Sequence, residues 1–318
     1  MPKLTNNTEQ SKAVRAIHPN SGVEAWYAQR LRQLLQDALT DAVGFITSAW
    51  NAAPPTVGIA MDAGIVYYPP REEYRYREDD DTKIDESSIR WVPGEWRPAY
   101  DAPSSTIRIN NALKKWGEKW RGKFDKLSDQ ISKQFSDRAF SATDVAMKAA
   151  LKEAGFTVSF RPTRKSLESY KLVVAENVGL IRNLQASFYN KIQQDTWAAV
   201  RAGSDLHTLS AKLQQSYGIE EKRAALIARD QNAKAKAVIE TTRRQELGIR
   251  QAIWQHSAGG KEPRPIHIAW GREGTIFDLD KGLYDPEENE WVFPGQLINC
   301  RCTSRAIIPG ITDKRRRR

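Results

Sequence analysis

Between Leu113 and Phe135 the large apolar side chains recur at steps of three and four: Leu113, Trp116, Trp120, Phe124, Leu127, Ile131 and Phe135. Those steps place all seven on one stripe of an α-helix. A strand cannot use them, because its side chains alternate with a period of two. A helix starting near Thr106 is therefore expected, and its apolar stripe needs other helices to cover it. Lys114, Lys115, Lys119, Arg121, Lys123 and Lys126 occupy the rest of its surface. Basic residues interleaved with aromatics can bind nucleic acid; the same pattern also serves as the charged outer face of a packed helix.

The partners are legible on either side. Val23, Trp26, Tyr27, Leu31, Leu34, Leu35, Ala38, Leu39, Val43, Ile46 and Trp50 form a second helical stripe, which Pro54 and Pro55 should end. Ser141 with Asp144 resembles a capping box for a short helix ending at Gly155. Residues 156–165 read as extended. One or two helices follow to Gly203, with Val178, Ile181, Leu184, Phe188, Ile192, Trp197 and Val200 as core. Ser204 or Asp205 can cap the next helix, with a stop at Gly218, and an alanine-rich helix is expected from Glu220 to about Glu246. At Gly248 the character changes. IRQAIWQHS reads as a strand, and GTIFDL, EWVFP and SRAII are short pieces that can pair with it among glycines and prolines. The expected fold is mainly α, built of long helices, with a small C-terminal α+β cap from about residue 248.

Composition narrows the class. With 318 residues, about two domains are expected. No window approaches the ~20 apolar residues that span a bilayer, and the first twenty residues lack the apolar core of a secretory signal. Residues 1–20 are polar and are expected to be flexible; residues 21–174 then form an N-terminal helical region. That region is interrupted at 51–105 by a Pro-rich stretch containing the acidic run Glu78–Asp81. The stretch is either a solvated excursion or a docking element for a partner protein. The net charge is +10, and about half of it sits in Lys314, Arg315, Arg316, Arg317 and Arg318, within a basic tail at 311–318. Such a tail suits sequence-independent contact with phosphates, because each cation displaces condensed counterions.

Reactive residue types concentrate in the cap: Cys300, Cys302, His256 and His267. In an extended segment Cys300 and Cys302 share a face, and thiolates with imidazoles are the donors of tetrahedral zinc. A zinc site built from Cys300, Cys302, His267 and His256 is one expectation; a packed, hydrogen-bonded cluster is the other. A phosphoryl-transfer site using His267 as base and Arg264 or Arg301 as anion holder is a third. No phosphate loop or dinucleotide fingerprint is present.

The segments IARDQNAKAKA, LGIRQAIWQHS, PRPIHIAWGREGTIFD and PGQLINCRCTSRAIIP, in that order, resemble the phage head-morphogenesis family, the minor head proteins of the Mu F type. The resemblance covers roughly residues 175–310, and ENVGLIRNL onward resembles the family's helical lead-in. The motif positions are Arg229, Trp254, Arg264, Gly274, Pro294 and Arg301 beside the Cys/His set. This chain has Arg229-Asp230-Gln231 where the family often has Arg-Thr-Glu, and Glu262 near the place of a family aspartate. If that aspartate ligates a metal in relatives, Glu262 or His256 replaces it here. Arg229 is expected to pair with a carboxylate between helical body and cap.

The resemblance implies a non-enzymatic, low-copy minor capsid protein of the virion. Its place would be the capsid interior or portal vertex, and the host cytoplasm during assembly. Its partners would be the portal protein, the major capsid protein or both, with packaged double-stranded DNA and no membrane. No enzymatic domain is expected behind the motif. The alternatives are a C-terminal nuclease or phosphotransfer enzyme using His267 and Arg264, and a non-specific DNA-binding protein.

Overall fold

A computed structural model of the chain describes residues 12–52, 89–90, 97–98, 105–259 and 262–308. The segment Gly58–Tyr68, where the sequence allows a short strand, the acidic run Glu78–Asp81, most of the Pro-rich 51–105 stretch and the basic tail Lys314–Arg318 lie outside the described residues.

In chain order the elements are β1 (Lys12–Ala13), α1 (Ser21–Ala52), β2 (Ile89–Arg90), β3 (Arg97–Pro98), α2 (Ser105–Glu153), α3 (Arg164–Arg201) and α4 (Leu206–Glu246). The cap follows as β4 (Gln251–Gln255), α5 (Pro265–Glu273), β5 (Ile276–Asp278), β6 (Leu283–Asp285), β7 (Glu290–Val292) and β8 (Thr303–Ile308). The fold is mainly α with a small C-terminal α+β cap, as the periodicity requires. Two compact units share the four long helices: one comprises Met1–Arg30, Ser128–Leu180 and Ala224–Arg318, the other Leu31–Leu127 and Ile181–Arg223.

The helices are longer than their internal punctuation suggests. Ser141 and Asp144 start no helix: α2 runs from Ser105 to Glu153 without a break, because its apolar stripe continues through Ala139, Met147, Ala150 and Leu151, all buried. Gly218 stops nothing either; α4 is one helix of 41 residues. A lone interior glycine costs a helix only about 1 kcal/mol, which packing on both sides outweighs. Helices end where glycine takes the left-handed conformation, at Gly155 (φ 98°), Gly203 (φ 63°) and Gly248 (φ 75°). Asp205 caps α4 as expected, its carboxylate accepting the Thr208 N–H at 2.8 Å.

In the second unit the core is aromatic. Trp116 is buried against Phe188, stacks on Tyr189 at 5.5 Å and donates its indole N–H to the Ala38 carbonyl at 2.9 Å. Gly117 makes that stacking fit, since a Cβ there would lie 2.3 Å from the Tyr189 ring. Trp197 and Val200, expected in the core, are only half-buried. The carboxylate of Asp195 is buried here and is satisfied by Ser216 at 2.5 Å and Lys191 at 3.2 Å.

In the first unit, Tyr27 stacks on Phe135 at 4.4 Å and donates its hydroxyl to Asn177 at 2.8 Å. Burial pushes the Tyr27 phenol far above its usual range, so it serves as a permanent donor. Val178, also expected in the core, is half-buried.

The cap is an antiparallel sheet in the order β1-β8-β4-β5, with Ala252 opposite Ala306 and Trp254 opposite Ser304. Period-two alternation sends Ala252 and Trp254 inward. The helix of the α+β cap is the segment 265–273: Pro265 fits its first turn, and Gly274 ends it at φ 64°. One feature corrects the sequence reading: the flexibility expected for residues 1–20 does not extend over 12–20. Ala13 pairs with Ile307, and Val14 and Ile17 are buried in the cap's core together with Met147, Ala150 and Leu151 of α2. The run KAVRAI is too short to show a period from sequence.

Candidate functional site

α5 holds His267 on its inward face. The imidazole is 3% exposed, stacks on Trp270 at 5.3 Å and meets the edge of Trp254 at 4.8 Å, so two indoles fix its plane. Gly271 allows this helix to sit close to the end of β4, because a Cβ at that position would lie 2.4 Å from His256 Cβ and 2.8 Å from its backbone nitrogen.

The cysteines arrive from a shaped turn. Gly295 adopts φ 88°, with Ala233 and Cys302 carbonyls at 3.4 and 3.5 Å from where a Cβ would stand, and Asn299 adopts φ 61°. Both conformations suit the residues present, glycine and asparagine. Asn299 is locked from α4: its backbone N–H donates to Asp230 Oδ1 at 2.7 Å, and Arg229 Nη2 donates to its side-chain oxygen at 3.2 Å. Arg229 thus pairs with a carboxamide, and its neighbour Asp230 supplies the carboxylate. Burial raises the Asp230 carboxyl above its usual range, and the Asn299 N–H and the Lys234 and Arg229 charges pull it partly back.

Past this turn, Cys300 and Cys302 point inward while Arg301 points out to donate to the Gly259 carbonyl at 2.6 Å. The alternation expected from the C-x-C spacing is present. His267 Nδ1 lies 3.6 Å from Cys300 Sγ and 3.8 Å from Cys302 Sγ. The Gly295 N–H donates to Cys300 Sγ at 3.4 Å. Hydrogen bonding from Cys302, then from His267, lowers the Cys300 thiol to about 4 against the opposing effect of burial. The same contact, with burial and the charge on Cys300, pushes the Cys302 thiol above its ordinary range.

On its far side, His267 Nε2 is 3.3 Å from Oδ2 of Asp285, a residue with no exposed surface. The other oxygen of Asp285 accepts the Glu287 and Glu288 N–H groups at 3.0 and 3.4 Å. Sequence reading did not find Asp285. Its only signal, an aspartate before Pro286, announces a turn and nothing about a histidine 18 positions earlier.

His256 does not join the three-donor group. Among the described residues the cluster of donors is His267, Cys300 and Cys302, all within 4.8 Å of one another. His256 Nδ1 instead accepts the Ala258 N–H at 3.3 Å. His256 and Glu262 line the same cavity of about 720 Å³ as the three donors. Arg264 also borders this cavity but is engaged, bound to Glu288 at 2.8 Å and to the Ile298 carbonyl at 3.3 Å. Trp254 lies in the aromatic wall, Gly274 closes α5, and Pro294 leads into the Gly295 turn. Behind the cysteines, α4 carries a buried charge cluster: Lys236 meets Glu240 at 2.6 Å, and Arg244 pairs with Glu240 and donates to Ser304 Oγ at 2.7 Å.

A long-helix protein with a Cys/His-bearing α+β cap is the class that this geometry defines. Residues 190–305 match the family described as Phage Mu protein F like protein. The match spans α4, the asparagine–aspartate lock and the whole His267–Cys300–Cys302 group. A protein of Haemophilus influenzae described as uncharacterized is 29% identical over 141 residues, which is 44% of this chain and 30% of that relative. The chain thus spans about a third of the length of the curated relative it matches. No solved structure matches.

Proposed function

We propose that this chain is a minor head protein of a tailed phage that acts in head morphogenesis, resident at the portal vertex or capsid interior, with the portal protein, the major capsid protein or both as partners. The observation that carries this reading is the match to the Mu F-like family over residues 190–305. The site's chemistry agrees with a structural role rather than an enzymatic one. The motif arginines are fasteners: Arg229 is bound to Asn299, Arg264 to Glu288 and Arg301 to the Gly259 carbonyl. An arginine so occupied holds loops together and has fewer donors to offer a transferring phosphoryl group. No helix among the described residues is long and apolar enough to cross a membrane.

The test is position and stoichiometry in purified procapsids and virions. The protein should be a low-copy component that co-purifies with the portal; its absence from both particles would reject the proposal. Contact with packaged double-stranded DNA is assigned to Lys314–Arg318. Deleting these five residues should weaken duplex binding and flatten the salt slope by up to about 4–5; an unchanged slope would remove the tail from that role. Incubation with nucleic acids and divalent metals should give no turnover. A robust cleavage abolished by His267→Ala would favour the nuclease reading instead.

A further inference from the structure

We propose that Cys300, Cys302 and His267 bind a zinc ion, with His267 coordinating through Nδ1, Asp285 holding the ring from behind, and the fourth coordination position opening into the adjoining cavity.

Geometry carries this first. A tetrahedral zinc with thiolate at ~2.3 Å and imidazole nitrogen at ~2.05 Å separates sulfur from nitrogen by about 3.6 Å. The observed separations are 3.6 and 3.8 Å, so both sulfurs already stand at ligand distance from the nitrogen, and the three donors lie within 4.8 Å of one another. Two thiolates and an imidazole are soft enough to select zinc over magnesium or calcium.

The surroundings point to a ligand independently. Among the described residues, His267 Nε2 and Asp285 Oδ2 are buried without a hydrogen-bond partner, although they lie 3.3 Å apart. Burying a carboxylate oxygen unsatisfied is costly. A slight rotation of the imidazole lets Nε2–H donate to Asp285, which fixes the tautomer whose Nδ1 lone pair faces the sulfurs. A carboxylate behind a ligating histidine does the same in metal sites generally. The Gly295 N–H aimed at Cys300 Sγ supplies a further thiolate-stabilising contact. His256 and Glu262 line the cavity but stand outside the donor group, so the fourth position belongs to water or another exchangeable donor.

The experiment is metal analysis of the full chain, purified without chelator, followed by competition of the metal-free protein with a chromophoric zinc chelator. A single zinc ion per chain is expected. Cys300→Ser, Cys302→Ser and His267→Ala should each weaken binding by about 100-fold or more, and Asp285→Asn by about 10- to 100-fold. His256→Ala should bind zinc as the wild type does. Cobalt substitution should give thiolate-to-metal charge transfer of two-thiolate intensity, retained in Asp285→Asn because that change removes no ligand. Far-UV circular dichroism, dominated by α1–α4, separates site loss from unfolding. Folded wild-type protein that takes up no zinc would overturn the proposal. So would a Cys300–Cys302 disulfide in protein kept reduced, or a His256→Ala variant as impaired as His267→Ala.

Discussion

Asp230 on α4 accepts the backbone N–H of Asn299 at 2.7 Å, one residue before the first of two inward-facing cysteines. Asn299 sits at φ 61°, a conformation that asparagine tolerates but that the chain adopts only when something holds it. The Arg229–Asp230 pair therefore sets where Cys300 and Cys302 emerge. Asp230→Ala should destabilise the protein by about 1–2 kcal/mol, the usual loss when a charge-assisted hydrogen bond at a partly buried site is removed. Asp230→Asn should lose less, since a carboxamide oxygen still accepts. Urea unfolding measures both, and faster amide exchange at Asn299 and Cys300 should accompany the alanine variant. A fully stable Asp230→Ala with unchanged exchange would deny the lock its role.

The helical body was legible because its signal is dense. Leu113, Trp116, Trp120, Phe124 and Phe135 repeat a period that no other element can use, and all five are buried. Helix ends were legible where a glycine leaves the helical region and where Asp205 caps α4. Gly203 and Gly218 look alike in sequence, and packing alone decides that one stops a helix and the other does not. The site was half legible. Cys300, Cys302 and His267 could be named from donor chemistry, but His256 was included because sequence proximity cannot show that its ring turns to the Ala258 N–H. Asp285, and the role of Asp230, were invisible, since each acts through a tertiary contact with a residue 18 or 69 positions away.

Glu240 lies between two buried cations, Lys236 and Arg244. All three side chains are 5% exposed or less. Burial lowers the Lys236 ammonium and the Arg244 guanidinium below their usual ranges, and Glu240 restores part of the loss. Removing the anion leaves two uncompensated charges out of water, so Glu240→Ala should cost about 3–5 kcal/mol or prevent folding. Lys236→Met, which leaves the Glu240–Arg244 pair balanced, should cost much less. Thermal unfolding of the two variants side by side tests the ordering; equal losses would show that the charges are not what matters.

Gly271 is required by the backbone of its neighbour rather than by its own dihedrals. A methyl group at 271 meets the His256 main chain at 2.8 Å, and a main chain cannot rotate aside. Gly271→Ala should push α5 away from β4 and cost about 1–3 kcal/mol, the range for overpacking a close contact. Near-ultraviolet circular dichroism should report the shift, because Trp254 and Trp270 meet at 4.8 Å across that contact. A wild-type tryptophan spectrum with unchanged stability would rule out the close approach.

Asp41 gives the helical unit a dependence on pH with a defined sign. Its burial alone would raise the carboxyl, but hydrogen bonds from Lys119 at 2.8 Å and the Trp120 indole at 2.7 Å, with the Lys119 and Lys123 charges, hold it below its usual range. The folded state therefore releases the proton more readily than the unfolded chain, whose aspartates titrate near about 3.9. The stabilisation is complete above that value and disappears as pH falls through the lower folded-state value. Because the pair faces solvent, the contribution should be about 1 kcal/mol or less. Unfolding free energies of wild type and Asp41→Asn should differ by a constant amount between pH 5 and 7 and converge below about pH 4. A gap that widened on acidification would mean that the aspartate is destabilised in the fold, the opposite of what its two donors dictate.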